Sequence, residues 1–185
     1  IGQVSSALIR MSDPTNGGFG GAPKFPTPPY PRFLLETGAG SVDQVLRHTL
    51  DAMAIGGIFD QVGGGFHRYA VDATWTVPHF EKMLYDNGQL ASLYADAFRR
   101  WGDSLHAETA RRTCEYVIRE MVGEDGRFLS AQDAEVAARE GANYVWTPAE
   151  ARADLDSAGC ADDVAFAFRM YGLDSPANFK DPHHP

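Results

Sequence analysis

Four carboxylates, Asp60, Asp72, Glu81 and Asp86, and two histidines, His67 and His79, fall within residues 60–86. Groups of these types at this density are suited to acid–base chemistry. A carboxyl whose proton is held by burial or by a neighbouring carboxylate can act as an acid near neutrality, and an imidazole can accept a proton there. Paired carboxylates would serve hydrolysis of a glycosidic bond, and paired histidines would serve proton transfer at a sugar carbon. Glu81, Asp86, His67 and His79 are therefore candidate catalytic groups. Asp133 joins them from the run Ser130-Ala131-Gln132-Asp133-Ala134-Glu135. Each has a plainer role open to it: Glu81 can favour a helix N-terminus by its charge, His67 can be held by a backbone carbonyl, and Asp133 can bond turn amides.

The surrounding residues have the composition of a concave site, with glycines beside large planar side chains in Gly63-Gly64-Gly65-Phe66-His67-Arg68-Tyr69 and Trp75 just beyond. A two-residue alternation over 66–71 would put His67, Tyr69 and Val71 on one side and Phe66, Arg68 and Ala70 on the other. The three glycines match neither the dinucleotide fingerprint nor a phosphate loop, so they are expected to let the backbone approach a neighbouring layer or a ligand. His67, Asp72, His79 and Glu81 match no compact zinc spacing. No metal and no cofactor is expected.

These groups need elements to position them. A helix end over 4–11 stops near Asp13-Pro14, and a short helix spans 30–37 with Gly38 beyond it. Ser41 is placed to cap a helix whose apolar face is Val42, Val45, Leu46, Thr49, Leu50, Met53 and Ala54. A further helix begins around 80–82 and runs to about Trp101. The next, over 105–121, presents Ala110, Cys114, Val117, Ile118 and Met121 as its apolar face. The two are joined by Gly102-Asp103-Ser104, which makes an antiparallel αα-hairpin. Residues 143–147 read as a strand by aromatic and β-branched content, Thr147-Pro148-Ala149-Glu150 as a helix start, and 164–170 as a weaker helix. The expected class is mainly α with short β-hairpin decorations. Long, Gly- and aromatic-rich connections at one end of the hairpins suit a toroid of stacked helical hairpins better than a simple bundle with short polar loops.

Composition narrows the partners. The 185 residues carry a formal charge of −9, from 25 acidic against 16 basic side chains, which disfavours a nucleic-acid backbone. No apolar run approaches the roughly 18 residues of a membrane span, so no membrane partner and a cytoplasmic setting are expected. Cys114 and Cys160 are read as buried free thiols. The chain opens at Ile1 and stops at Asp181-Pro182-His183-His184-Pro185, which reads as an excerpt of a longer protein.

Gly17-Gly18-Phe19-Gly20-Gly21-Ala22-Pro23-Lys24-Phe25-Pro26, the run from Gly57 through Tyr69, the run from Trp75 through Val77-Pro78-His79-Phe80-Glu81-Lys82-Met83-Leu84-Tyr85-Asp86-Asn87, and Tyr144-Val145-Trp146 together resemble a known family. It is that of the large thioredoxin-domain-containing proteins, which includes the spermatogenesis-associated protein of animals and bacterial relatives. The resemblance implies a six-hairpin glycosidase-like α/α toroid similar to N-acylglucosamine 2-epimerases. Residues 1–185 would be the N-terminal portion of that toroid, the thioredoxin-like domain and remaining hairpins being absent. It further implies a small carbohydrate as the ligand, with either glycoside hydrolysis or epimerisation or isomerisation of an N-acyl sugar as the reaction. A non-catalytic scaffold attached to the thioredoxin-like domain is the alternative. The shared runs supply the expected ligand-binding residues Phe19, Lys24, Arg68, Tyr69, Trp75, Tyr144 and Trp146. Where the family tends to carry Ser-Ala-Glu-Asp-Ala-Asp-Ser, this chain has Gln132 and Glu135, while Asp133 is kept. Helix faces left open by missing hairpins would favour self-association.

Overall fold

The computed structural model describes residues 2–37 and 41–176, which fall into two compact units divided between Glu140 and Gly141. The expected stop at Gly38, the side chain of Ser41 and residues 178–185 lie outside what is described. No helix among the described residues is long and apolar enough to cross a membrane.

The first unit holds α1 (Gly2–Met11), α2 (Pro29–Thr37), α3 (Ser41–Ile55), α4 (Leu84–Trp101) and α5 (Ser104–Glu120). On α3 the three-and-four spacing buries Val42, Leu46, Thr49, Leu50, Met53 and Ala54, while Val45 of the expected face is only half-buried. They pack with Leu34 of α2 and with Leu90, Leu93, Tyr94 and Ala97 of α4 in one core. Each fully buried leucine contributes about 1.5–3 kcal/mol. The Tyr94 hydroxyl, deep in that core, donates to the Leu50 carbonyl at 2.7 Å, so its polar tip is satisfied. The α4–α5 hairpin turns at Gly102, which is left-handed at φ 70°, and Asp103 accepts from the Leu105 amide to cap α5.

Two expectations for the hairpin are corrected. Helix α4 starts at Leu84 because Lys82 and Met83 are taken up by a strand pair with Ala131 and Gln132. The inner face of α5 is His106, Thr109, Ala110, Thr113 and Tyr116, while Cys114 and Ile118 are exposed. Thr109 and Thr113 can turn inward because their hydroxyls donate to the carbonyls four residues back. Cys160 is only partly buried, so neither thiol is a core group.

Between α3 and α4 the chain forms an irregular layer tied by short antiparallel pairs. Strand β1 (Tyr69–Ala70) pairs with β2 (Pro78–His79), setting Tyr69 opposite His79. Strand β3 (Lys82–Met83) pairs with β4 (Ala131–Gln132), and β5 (Glu135–Val136) with β6 (Arg139–Glu140) through a tight turn at Ala137 and Ala138, both at positive φ. The alternation expected over 66–71 does not form: Phe66, His67 and Ala70 are buried and Val71 is exposed. Successive amides there bond to different segments, His67 to Ile58 and Arg68 to Glu81, so no continuous strand exists to alternate.

The second unit contains α6 (Pro148–Ser157), a 3₁₀ turn at Ala161–Asp163 and α7 (Val164–Tyr171), with Ala151, Val164 and Phe168 as its core. Thr147 and Glu150 form the expected capping box. The expected strand over 143–147 is a turn through Tyr144 followed by irregular chain, since aromatic and β-branched content makes a strand only where an edge is available to pair with.

Candidate functional site

The Gly57 to Asn87 region is built on a buried polar frame. Asp60 closes its own turn by accepting from the Val62 and Gly63 amides, and its other oxygen receives the Lys82 ammonium at 2.8 Å. Lys82 also donates to the Gly64 carbonyl and lies 4.2 Å from the Tyr116 ring centroid. Asn87 accepts from the Phe66 amide and donates to the Phe66 and Met83 carbonyls, clamping the loop onto α4. Gly64 and Gly65 both take φ +79°, and a Cβ on Gly65 would lie 2.3 Å from the Tyr116 ring. The glycines therefore bring the backbone against α5, the neighbouring layer.

His67 belongs to this frame. Its Nδ1 donates to the Phe80 carbonyl at 3.1 Å, and the residue is 2% exposed. Burial, with the Lys82 ammonium adding to it, pushes its pKa down to about 3, so it is neutral at physiological pH.

On the outer side of the frame a second group converges. Tyr69 lies flat on His79, with ring centroids 4.7 Å apart and planes 16° apart, and Phe25 lies 4.8 Å from Tyr69 on a tilted plane. The His79 Nδ1 is 2.7 Å from Glu140, and its Nε2 is 4.0 Å from Glu81. Arg68 donates to Glu81 at 2.8 Å, so the carboxylate that could have served the α4 N-terminus is used across the layer instead. Asp86, in the first turn of α4, is nearly buried. Burial raises its pKa to about 6; the Arg68 guanidinium opposes that shift and the Glu81 carboxylate adds to it. A carboxyl so placed holds an exchangeable proton near neutrality. Asp133 is exposed and accepts from the Glu135 amide in a turn; continuing the β3–β4 register by one residue sets it opposite Glu81.

The structure thus brings together Arg68, Tyr69, His79, Glu81 and Asp86, with Asp133 at the edge. It places others elsewhere. Trp75 is fully buried and donates to the Asn16 carbonyl; Lys24 is fully buried, bonded to Asp13 and the Ala73 carbonyl; Phe19 packs edge-on to Tyr30 in the core. Tyr144 and Trp146 lie in the second unit. Asp72 is a turn residue, accepting from the Thr74, Thr76 and Val77 amides. Among the described residues, Asp51, Asp103 and His106 are close enough to hold a metal, their ligand atoms lying within 4.8 Å of one another. Hydrogen bonding accounts for that cluster, since His106 Nε2 donates to Asp51 at 2.8 Å and Asp103 caps α5.

No protein-family model matches the chain. It is 40% identical over 192 aligned residues to mouse spermatogenesis-associated protein 20 and 41% identical to the human protein, covering 94% of this chain in both. Over that span the chain is similar to spermatogenesis-associated protein 20. The chain spans about a quarter of the length of these relatives, 24% in each case. An uncharacterised Caenorhabditis elegans protein is 34% identical over 90% of the chain.

Among solved structures, a sugar epimerase from a ruminal bacterium superposes with a TM-score of 0.60 at 17% identity, over 90% of this chain and 50% of that one. Cellobiose 2-epimerase from Bacillus thermoamylovorans superposes at 0.58 and 12% identity, over 94% of this chain and 55% of that one. At these identities the likeness is one of fold. The chain has the α/α toroid fold of those enzymes, decorated with short strand pairs.

Glu140 and Tyr85 were not foreseen from the sequence. The Tyr85 hydroxyl faces Arg68 one residue before Asp86, at a position helical spacing could have suggested. Glu140 meets His79 across 61 residues, and nothing local marks it.

Proposed function

We propose that this layer is one wall of a carbohydrate site in which His79, Glu81 and Asp86 serve proton transfer at the carbon beside a sugar's reducing carbonyl, the chemistry of 2-epimerisation. One observation carries this reading: a histidine laid on a tyrosine ring, with a carboxylate facing each of its nitrogens. Sugars offer an apolar C–H face and a ring of hydroxyls, which suit the Phe25–Tyr69–His79 rings and the flanking carboxylates respectively. The sugar epimerases that share the fold lend further support. In the reaction His79 removes the C2 proton, and the electron pair moves to the carbonyl oxygen to give an enediolate. Asp86, a fraction of which carries its proton near neutrality because its pKa is about 6, returns a proton to the other face of C2 once the enediolate has turned. Atoms and charge balance without a redox partner. The attachment to a thioredoxin-like domain in the intact protein is part of the same proposal.

The test is exchange of the C2 hydrogen. The intact protein is incubated in deuterated water with reducing disaccharides and N-acyl hexosamines, and label at C2 is read by NMR. Exchange is expected, falling about 100-fold in His79→Asn and in Asp86→Asn. If no sugar exchanges and none binds in ligand-observed NMR, a non-catalytic scaffold is the correct description.

A further inference from the structure

We propose that Glu140 is the positioning residue that fixes the His79 imidazole in the Nδ1–H tautomer and so leaves Nε2 as the proton-accepting nitrogen. This rests on the proton-transfer reading of the site for its chemical purpose, though not for its geometry.

A carboxylate is an acceptor only, so the 2.7 Å contact between Glu140 Oε1 and His79 Nδ1 requires the hydrogen on Nδ1. In the neutral ring Nε2 then carries the lone pair. Glu81 does not reverse this assignment: its Oε2 is 4.0 Å from Nε2, beyond hydrogen-bond range, and the same oxygen accepts from Arg68 at 2.8 Å. Tyr69 holds the plane of the ring by stacking, and the β1–β2 register holds its backbone.

The means of delivering Glu140 is specific. The β5–β6 hairpin turns on Ala137 and Ala138, at φ 53° and 61°, the left-handed pair that a two-residue hairpin needs and that alanine rarely adopts. The hairpin itself lies outside the core, with both of its strands exposed. Its ladder sets Glu140 opposite Glu135, and of the two Glu140 meets the histidine. When His79 takes a proton at Nε2, the imidazolium forms with Glu140 already at its other nitrogen. This is the arrangement by which a carboxylate orients a catalytic histidine and balances the charge it acquires.

The experiment labels the histidines with ¹⁵N and reads the tautomer of His79, assigned with His79→Asn, in the wild type, Glu140→Ala, Glu140→Gln and Glu135→Gln. The expected result is Nδ1–H in the wild type, a shift toward Nε2–H in Glu140→Ala, and retention of Nδ1–H in Glu140→Gln, whose amide oxygen can still accept. Glu135→Gln should match the wild type. Circular dichroism and melting confirm that each variant is folded. An unchanged His79 tautomer in folded Glu140→Ala overturns the proposal. In the C2-exchange assay, Glu140→Ala is expected to lower kcat about tenfold or more with KM within about twofold. Loss through KM alone would also overturn the positioning role. If the wild type exchanges no sugar hydrogen, the sugar reading fails, and the tautomer result still decides whether Glu140 sets the ring.

Discussion

Lys82 and Asp60 hold each other across 2.8 Å, with the lysine side chain 1% exposed. The pair joins the turn after α3 to the strand before α4. Lys82→Met would leave the Asp60 carboxylate largely buried without its cation, and is expected to destabilise the first unit by about 3–5 kcal/mol. The double variant with Asp60→Asn should recover part of the loss, because the amide oxygen can still accept from the turn amides. Urea unfolding of the four proteins in the cycle measures both effects.

Acid should act on the same pair. Burial pushes the Asp60 carboxyl up, but the Lys82 ammonium and the Val62 and Gly63 amides outweigh it and hold the pKa below its ordinary value. A depressed folded pKa contributes stability that is present above the unfolded value, about 3.9, and is lost as pH falls through the folded one. The wild type should therefore lose more stability than Asp60→Asn between pH 5 and pH 2. Parallel acid titrations followed by circular dichroism test this.

Asp86 should behave in the opposite sense. Its folded pKa, about 6, lies above its unfolded value, so the folded state binds the proton more tightly. The resulting cost is absent below the unfolded pKa, grows as pH rises, and is complete above the folded one. Asp86→Asn is expected to stabilise the protein by about 2 kcal/mol at pH 7.5 and by almost nothing at pH 3.5. Denaturation at the two pH values gives the comparison, and a ¹³C titration of the carboxyl should show a midpoint near 6.

Two glycines at similar φ separate backbone strain from collision. Gly20, at φ +82°, has nothing within 4 Å of an added Cβ, whereas Gly65, at φ +79°, would meet Tyr116. Gly20→Ala should cost about 1–2 kcal/mol from the backbone alone. Gly65→Ala should cost about 1–3 kcal/mol more, because the ring must move. The difference in melting midpoint reports the collision.

In the second unit, Thr147 accepts from the Glu150 amide at 3.2 Å, and Glu150 accepts from the Thr147 amide at 2.9 Å. Thr147→Ala removes one side of this box and should cost about 1 kcal/mol. Hydrogen exchange should show the loss confined to the first turn of α6.

Much of the helical frame was legible because its causes are local. The inward face of α3 follows from residues three and four apart, and the start of α6 from four consecutive residues. The α5 face was misjudged because hydrophobicity ranked Cys114 and Ile118 above two threonines whose hydroxyls the helix itself satisfies. The strand expected near Tyr144 failed for a related reason: strand propensity has no effect without a partner edge. Within the candidate site, His79, Glu81, Arg68 and Tyr69 stood out by type and spacing. The same criteria selected His67, and the family resemblance selected Trp75 and Lys24; the fold buries all three, because an aromatic or ionisable residue beside glycines looks alike whether it faces a cavity or fills the core.

By itself, then, the sequence determined the mainly α class, the order of its helical hairpins and the stretch that holds the ionisable groups, since periodicity, capping and turn chemistry act over a few residues. Only the tertiary structure decided which of those groups meet. Lys82 reaches Asp60 across 22 residues, and His79 reaches Glu140 across 61. Contacts at such separations depend on how the packed core and the short strand pairs orient each loop, and no local pattern encodes that orientation.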